Sequence, residues 1–106
     1  MKGDAEIFGK ARVYGRTQLS GNSKIFGQAQ VYGQAEIGKK SMIYDHAQVS
    51  GKAWISDFAK LFGNAQVFGH AWVFERAQVY DNAKIYGHTQ VARDEHINGD
   101  TELVVK

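Results

Sequence analysis

The 106-residue chain contains no cysteine and no proline. Without cysteine it can form neither a disulfide nor a thiolate metal site, and nothing points to an oxidising compartment. Its apolar runs fall well short of the roughly 18 residues that a membrane-spanning helix needs, and no apolar signal-peptide segment follows Met1. We therefore expect a single domain over residues 1–106, located in the cytoplasm and not in a membrane.

The chain also lacks a strong charge of either sign. Thirteen Lys and Arg face eleven Asp and Glu, which gives a net charge of +2. Residues 1–53 carry eight basic and four acidic side chains, whereas residues 54–106 carry five and seven. This asymmetry permits contact with an acidic surface or with nucleic acid, but it does not indicate nucleic acid as the partner.

The dominant feature of the sequence is a six-residue repeat. From Ala5 the chain divides into seventeen consecutive hexads without insertion, beginning AEIFGK and ending TELVVK. The third position is Ile, Leu or Val in all seventeen, and the first is Ala, Ser or Thr in sixteen, Glu95 being the exception. The fifth position is Gly in ten hexads and Asp in three. An apolar period of six excludes an amphipathic helix, whose period is 3.6.

Each hexad predicts a short strand followed by a bend. Positions one and three point to the same side of a strand and suit a narrow interior, while positions two and four point outward. Position five supplies the backbone freedom of a corner. If three hexads form one triangular coil, residues eighteen apart stack about 4.8 Å from each other. Seventeen hexads then predict an all-β prism of about five to six coils, roughly 27 Å long.

These hexads resemble the hexapeptide-repeat family, whose fold is the left-handed parallel β-helix. The resemblance covers residues 5–106. It implies a left-handed winding, although general rules for parallel crossovers favour a right-handed one. The family includes acyltransferases, usually trimeric, as well as γ-type carbonic anhydrases and proteins without a known reaction. Short chains without inserted loops resemble products of phages and other mobile elements, among which binding-only proteins often inhibit a host system.

The repeat is less regular towards its end. Residues 5–88 keep the pattern, and residues 89–106 depart from it with polar side chains. Glu95 would place a carboxylate at an inward position, which is costly without a partner. We expect residues 89–106 to act as a C-terminal cap that prevents end-to-end stacking.

Stacking at eighteen residues sorts the outward aromatic side chains into columns. At position four, one column contains Phe8, Phe26, Tyr44, Phe62 and Tyr80, and a second contains Tyr14, Tyr32, Ser50, Phe68 and Tyr86. Such ladders can simply shield the corners and stack on each other. They can equally form a protein-binding face or the interface of a homo-oligomer, because contiguous exposed apolar patches usually mark interfaces.

A third group of aromatic residues differs from the ladders. Trp54 and Trp72 occupy position two in successive coils, with Phe74 beside them and Phe58 at the following corner. Two exposed tryptophans on a small domain either stack without a partner or anchor one. We expect protein binding by Trp54, Trp72, Phe74 and Phe58, with the first aromatic ladder as a further binding surface.

No catalytic or metal-binding residue is predicted, and no cofactor. His70 and His88 should stack at a corner, but zinc needs at least three protein ligands. The family resemblance implies that an acyltransferase would carry its catalytic histidine on an inserted loop, and no loop interrupts these hexads. A solvated imidazole ladder is the expected arrangement.

The sequence thus favours a non-catalytic protein-binding module over an enzyme. The resemblance to mobile-element products implies an anti-defence inhibitor of the anti-CRISPR type, acting in the host cytoplasm by occupying a surface of a host nuclease. The alternatives are an acyl-CoA-dependent, acyltransferase-like protein and a structural segment of a trimeric phage tail or fibre.

Overall fold

Seventeen short strands wind into a parallel β-solenoid. The computed structural model describes the backbone of residues 5–105 and the side chains of residues 5–103. Fifteen strands consist of positions two and three of one hexad, and two continue to four residues. The strands are β1 (Glu6–Ile7), β2 (Arg12–Val13), β3 (Gln18–Leu19), β4 (Lys24–Ile25), β5 (Gln30–Val31), β6 (Glu36–Ile37), β7 (Met42–Ile43), β8 (Gln48–Val49), β9 (Trp54–Ile55), β10 (Lys60–Leu61), β11 (Gln66–Val67), β12 (Trp72–Val73), β13 (Gln78–Val79), β14 (Lys84–Gly87), β15 (Gln90–Val91), β16 (His96–Ile97) and β17 (Glu102–Val105). The all-β prediction, with one strand in each hexad, is confirmed.

The strands form three parallel sheets, one for each face of a triangular prism. Sheet A has the order β1-β4-β7-β10-β13-β16, sheet B runs from β2 through β5, β8, β11 and β14 to β17, and sheet C has the order β3-β6-β9-β12-β15. Partners are eighteen residues apart throughout, so that Gln48 pairs with Gln66 and Trp54 with Trp72. The predicted coil of three hexads is therefore confirmed.

The interior is a narrow apolar bore made by positions one and three. From Ile25 to Ile85 every aliphatic residue at position three is buried, and the alanines at position one fill the space between them. Serine or threonine replaces alanine where its hydroxyl can bond to the chain itself. The Ser41 Oγ donates to the Gly38 carbonyl at 2.8 Å, and the Thr89 Oγ1 donates to the Tyr86 carbonyl at 2.8 Å. Inward hydroxyl groups are thus satisfied within the preceding corner.

Every described corner places position five in the left-handed region. Ten of these residues are glycines, and the other six are Lys39, Asp45, Asp57, Glu75, Asp81 and Arg93, with φ between 56° and 63°. Glycine is required at a corner such as Gly33, because a Cβ there would lie 2.9 Å from the amide nitrogen of Gly51 in the next coil. Asp is one of the few other residues that tolerate this conformation, whereas Lys, Glu and Arg are not among them.

The last coils continue the same three sheets. The irregular part of the repeat therefore remains within the solenoid from residue 89 as far as Val105. Glu95 is exposed, contrary to its expected inward position, and its Oε1 accepts a hydrogen bond from the Ala92 backbone at 3.1 Å. Among the described residues β16, which follows Glu95, is the last strand of sheet A, so no described strand of that sheet covers Glu95 from above. The described chain measures 30 × 24 × 21 Å, close to the predicted length. The capping role of residues 89–106 remains a prediction.

Candidate protein-binding surface

The two tryptophans lie next to each other at the centre of sheet C. Trp54 on β9 and Trp72 on β12 are register partners, and their ring centroids are 4.8 Å apart. The rings meet edge to face at 87°, whereas the ladder rings lie parallel. Edge-to-face contact satisfies the ring quadrupoles and leaves the face of one indole free. Trp54 is 37% exposed and Trp72 is 39% exposed.

Two phenylalanines extend this surface towards the next corner. Phe58 is 52% exposed at the corner after β9, and the Lys40 ammonium lies 5.7 Å from the centre of its ring. Phe74 follows β12 and is half-buried. We call Trp54, Phe58, Trp72 and Phe74 the aromatic cluster. The strand order and register place Trp54 and Trp72 in successive coils of sheet C, as predicted from their spacing, while Phe58 lies at the following corner.

Exposure distinguishes the aromatic cluster from the other apolar residues. In the described part of the chain the exposed large apolar side chains are Ile7, Phe8, Tyr14, Trp54, Phe58 and Trp72. The first three belong to the first described coil, which pairs with a described coil on one side only. Away from that end, the exposed large apolar residues all lie on sheet C and its corner. A folded domain that leaves such a patch in the middle of a rigid face has a surface suited to binding.

The corner beside the aromatic cluster is charged and strained. Lys39, Asp57, Glu75 and Arg93 stack there in four successive coils, all with positive φ. The Lys39 ammonium lies 3.3 Å from Asp57 Oδ1, and Asp57 Oδ2 accepts a hydrogen bond from the Glu75 backbone at 3.0 Å. An open cavity of about 540 Å³ adjoins this corner, lined by Asp57, Phe58, Glu75, Arg76, Arg93 and Asp94. The aromatic cluster therefore has a rim that carries both signs of charge.

The charged corner was not predicted from the sequence, although the residues at position five indicate it. Position five is Gly or Asp in thirteen of the seventeen hexads. Val105 ends the last strand, and the other three exceptions are the corner residues Lys39, Glu75 and Arg93. All three fall after strands of sheet C. Strained backbone persists only where the surrounding structure holds it, and it concentrates at functional sites. The coincidence of strain and exposed aromatic rings supports this side of the prism as the candidate site.

The first aromatic ladder lies on another part of the prism. Phe8, Phe26, Tyr44, Phe62 and Tyr80 stack in parallel with centroid distances of 4.9–5.1 Å. They stand at the end of sheet A, so the structure does not bring them together with the aromatic cluster. Apart from Phe8 they are half-buried by one another. Burial, with a smaller contribution from the charge of Asp45, raises the pKa of Tyr44 above its ordinary value of 10.0.

The second ladder, on sheet B, consists of two separate pairs of rings. Tyr14 and Tyr32 stack at 5.1 Å, and Phe68 and Tyr86 stack at 4.8 Å, with Ser50 between the pairs. The Tyr86 hydroxyl donates to Glu102 Oε1 at 3.3 Å. Desolvation and then the Glu102 carboxylate raise the pKa of Tyr86.

His70 and His88 stack as predicted, at 4.9 Å and 10° between ring planes. Among the described residues no group of three or more His, Cys, Asp and Glu side chains could hold a metal ion. The described chain also contains no helix that is long and apolar enough to cross a membrane.

Comparison with known proteins gives no match to a protein-family model, a curated sequence or a solved structure. The chain is a parallel β-solenoid of about five coils, with eighteen residues in each coil.

Proposed function

We propose that this protein is a non-catalytic binding module that holds a protein partner on the aromatic cluster of sheet C. The observation that carries the proposal is the exposure of Trp54, Phe58 and Trp72 in the middle of a regular, fully hydrogen-bonded face. Tryptophan is the residue most often found as an energetic anchor in protein interfaces. A rigid face also loses little conformational entropy when a partner binds.

The charged corner defines what the partner should offer. Side chains of both signs of charge line one open cavity together with Phe58, which is typical of an interface rim around an apolar centre; they are Asp57, Glu75, Arg76, Arg93 and Asp94. We infer a partner with an apolar pocket for the indoles and a mixed-charge border. The first ladder provides a second surface, on which copies of this chain would associate into a homo-oligomer.

A narrower form of the proposal concerns the identity of the partner. We propose membership of the hexapeptide-repeat family, and the left-handed winding is what that resemblance implies; the proposal is supported by the seventeen hexads and the eighteen-residue register. We propose on that basis an inhibitor of a host defence nuclease, of the anti-CRISPR type, acting in the host cytoplasm. Its support is the insert-free repeat and the family resemblance.

The test is an affinity pull-down with purified defence nucleases and with bacterial lysate. We expect the wild-type chain to retain a stoichiometric partner, and the double variant Trp54→Ala, Trp72→Ala to bind it at least about 30-fold more weakly, since an anchor residue contributes about 2 kcal/mol or more. The matched control is Gln18→Ala with Gln90→Ala, which truncates exposed side chains at the same position of sheet C. Equal retention by both double variants would contradict a role for the aromatic cluster.

Two other functions predict different results in the same samples. An acyltransferase-like protein would bind acyl-CoA and lose turnover on substitution of His70 or His88. A tail or fibre segment would be an obligate trimer in light scattering and would be indifferent to loss of the tryptophans. Either result without a captured partner would replace the proposed function.

A further inference from the structure

The ladder on sheet B lacks one ring at Ser50 while its backbone is complete. The Tyr32 amide donates to the Val49 carbonyl at 2.9 Å, and the Ser50 amide donates to the Val67 carbonyl at 2.9 Å. Only the side chain is therefore missing from the stack. With strands about 4.8 Å apart, the rings of Tyr32 and Phe68 are separated by about 9.6 Å. That gap has room for one planar ring, at the spacing that the ladder rings already keep on either side.

The gap forms a shallow cavity with a polar side. It has a volume of about 250 Å³ and is lined by Tyr32, Gln48, Ser50, Gln66 and Phe68. Gln48 and Gln66 are the first residues of β8 and β11, and they line the gap next to Ser50. A glutamine amide offers two donors and an acceptor, and the serine hydroxyl offers both functions. A ring that enters between Tyr32 and Phe68 thus meets hydrogen-bonding groups along one edge.

The corner that follows Ser50 carries a positive charge. Lys52 follows Ser50 by two residues in the same coil, and His70 occupies the same corner in the next coil. Among the outward and corner residues that belong to sheet B, from Arg12 to His88, no acidic residue occurs. In the same coil Asp45 lies at the opposite corner, where its Oδ2 accepts a hydrogen bond from the Gly63 amide at 3.2 Å. A ligand with a negative group beside its ring is therefore favoured.

We propose that this gap binds a nucleotide unit, with the base stacked between Tyr32 and Phe68 and the phosphate next to Lys52. A nucleobase is planar, stacks well on aromatic side chains and carries donors and acceptors on its edge for Gln48 and Gln66. An aromatic side chain from a protein would fill the gap but would leave the lysine and both amides unused. A free nucleotide and a nucleotide within a single strand share this chemistry. The site lies on a different sheet from the aromatic cluster and does not depend on its function.

The test uses 2-aminopurine, whose fluorescence falls when it stacks. The probes are 2-aminopurine riboside monophosphate and a single-stranded oligothymidylate with one central 2-aminopurine. We expect saturable quenching by the wild-type chain and its loss in Ser50→Phe, because the new ring occupies the gap. Ser50→Phe should keep the fold and raise the Tm, since it completes the ladder. Asn98→Phe, which adds a ring to the end of the other ladder, is the matched control and should bind like wild type.

Two further variants test the parts of the site separately. Tyr32→Leu removes one stacking surface and should weaken binding about tenfold. Lys52→Ala should weaken binding of the monophosphate but leave the uncharged riboside unchanged. Should Ser50→Phe fail to fold, these two variants, with folding checked by circular dichroism, decide the question.

The two probes distinguish the sources of the ligand. Equal affinity for both indicates a free nucleotide, whereas preference for the strand with a steep salt dependence indicates single-stranded nucleic acid. The proposal is overturned if neither probe is quenched at millimolar protein, or if Ser50→Phe and Tyr32→Leu bind as wild type does.

Discussion

At the scale of single residues, the corners carry the unusual energetics of this protein. Position five is left-handed at every corner from Gly9 to Gly99, and six of these residues have a Cβ. The left-handed conformation costs an ordinary residue about 1–2 kcal/mol. Asp45, Asp57 and Asp81 offset part of this cost, because each accepts a hydrogen bond from a backbone amide in the next coil. Glu75 gains no such bond from its own carboxylate in the described structure, so its strain is retained.

Replacing Glu75 with glycine should therefore stabilise the fold. Glycine removes the left-handed strain and keeps the backbone amide at position 75, which donates a hydrogen bond to Asp57. The more flexible glycine backbone costs about 0.5–1 kcal/mol of entropy on folding. We expect Glu75→Gly to raise the free energy of unfolding by about 0.5–1 kcal/mol in urea titration.

The neighbouring residue provides the control for Glu75→Gly. Arg76 is exposed and does not have a positive φ, so Arg76→Gly should lower the free energy of unfolding through backbone entropy alone. If both glycine variants were destabilised equally, strain at Glu75 would be ruled out.

At the scale of the strands, each element is too short to be stable by itself. Two residues of β8, for example, are held by β5 and β11 through parallel pairing and by the apolar contacts of Val49 in the bore. The inward and outward assignment of such a strand is therefore fixed by the coils on both sides.

Val49→Asp should prevent folding. Val49 is fully buried, and no charged partner is available in a bore lined by Ala, Val, Ile and Leu. We expect loss of the cooperative thermal transition in circular dichroism. Gln48→Asp, on the outward side of the same strand, should retain it; a cooperative melt in Val49→Asp would show that the register is wrong.

The sequence was sufficient to predict the strands and their stacking, since the hexad repeats without a break. The sequence was insufficient to predict how exposed each outward side chain is, because exposure depends on the neighbouring side chains and not on the hexad repeat. Phe62 and Phe58 are both outward aromatic residues, yet Phe62 is covered by its ladder partners whereas Phe58 is free. Glu95 shows the same limit: its inward position is exposed because no described strand of sheet A covers it from above. The edge-to-face arrangement of Trp54 and Trp72 likewise results from ring packing, which no spacing encodes.

At the scale of the whole molecule, stability is nearly one-dimensional. Within residues 5–105 each inner coil pairs with the coils on both sides, whereas the first and the last described coil pair with one coil only. Local opening should therefore start at the ends and become rarer towards the middle.

Amide hydrogen exchange measured by NMR should show this gradient. We expect the slowest exchange in β7 to β11 and the fastest in the strands that end the three sheets, β1 to β3 and β15 to β17. The Trp54→Ala, Trp72→Ala variant serves as a comparison and should preserve the gradient, since these side chains lie outside the bore. Uniform protection along the chain would mean that the solenoid opens only as a single unit.

The eighteen-residue register also determines which of the three faces each side chain lies on. Removing eighteen residues would shorten it by one turn and return every later side chain to its original direction. Removing six would instead rotate everything downstream by a third of a turn, so that Trp72 would leave the face of Trp54 although neither residue was changed. Whether two side chains share a face thus depends on the number of residues between them, counted modulo eighteen. A small deletion can therefore abolish a surface in which no residue has been substituted.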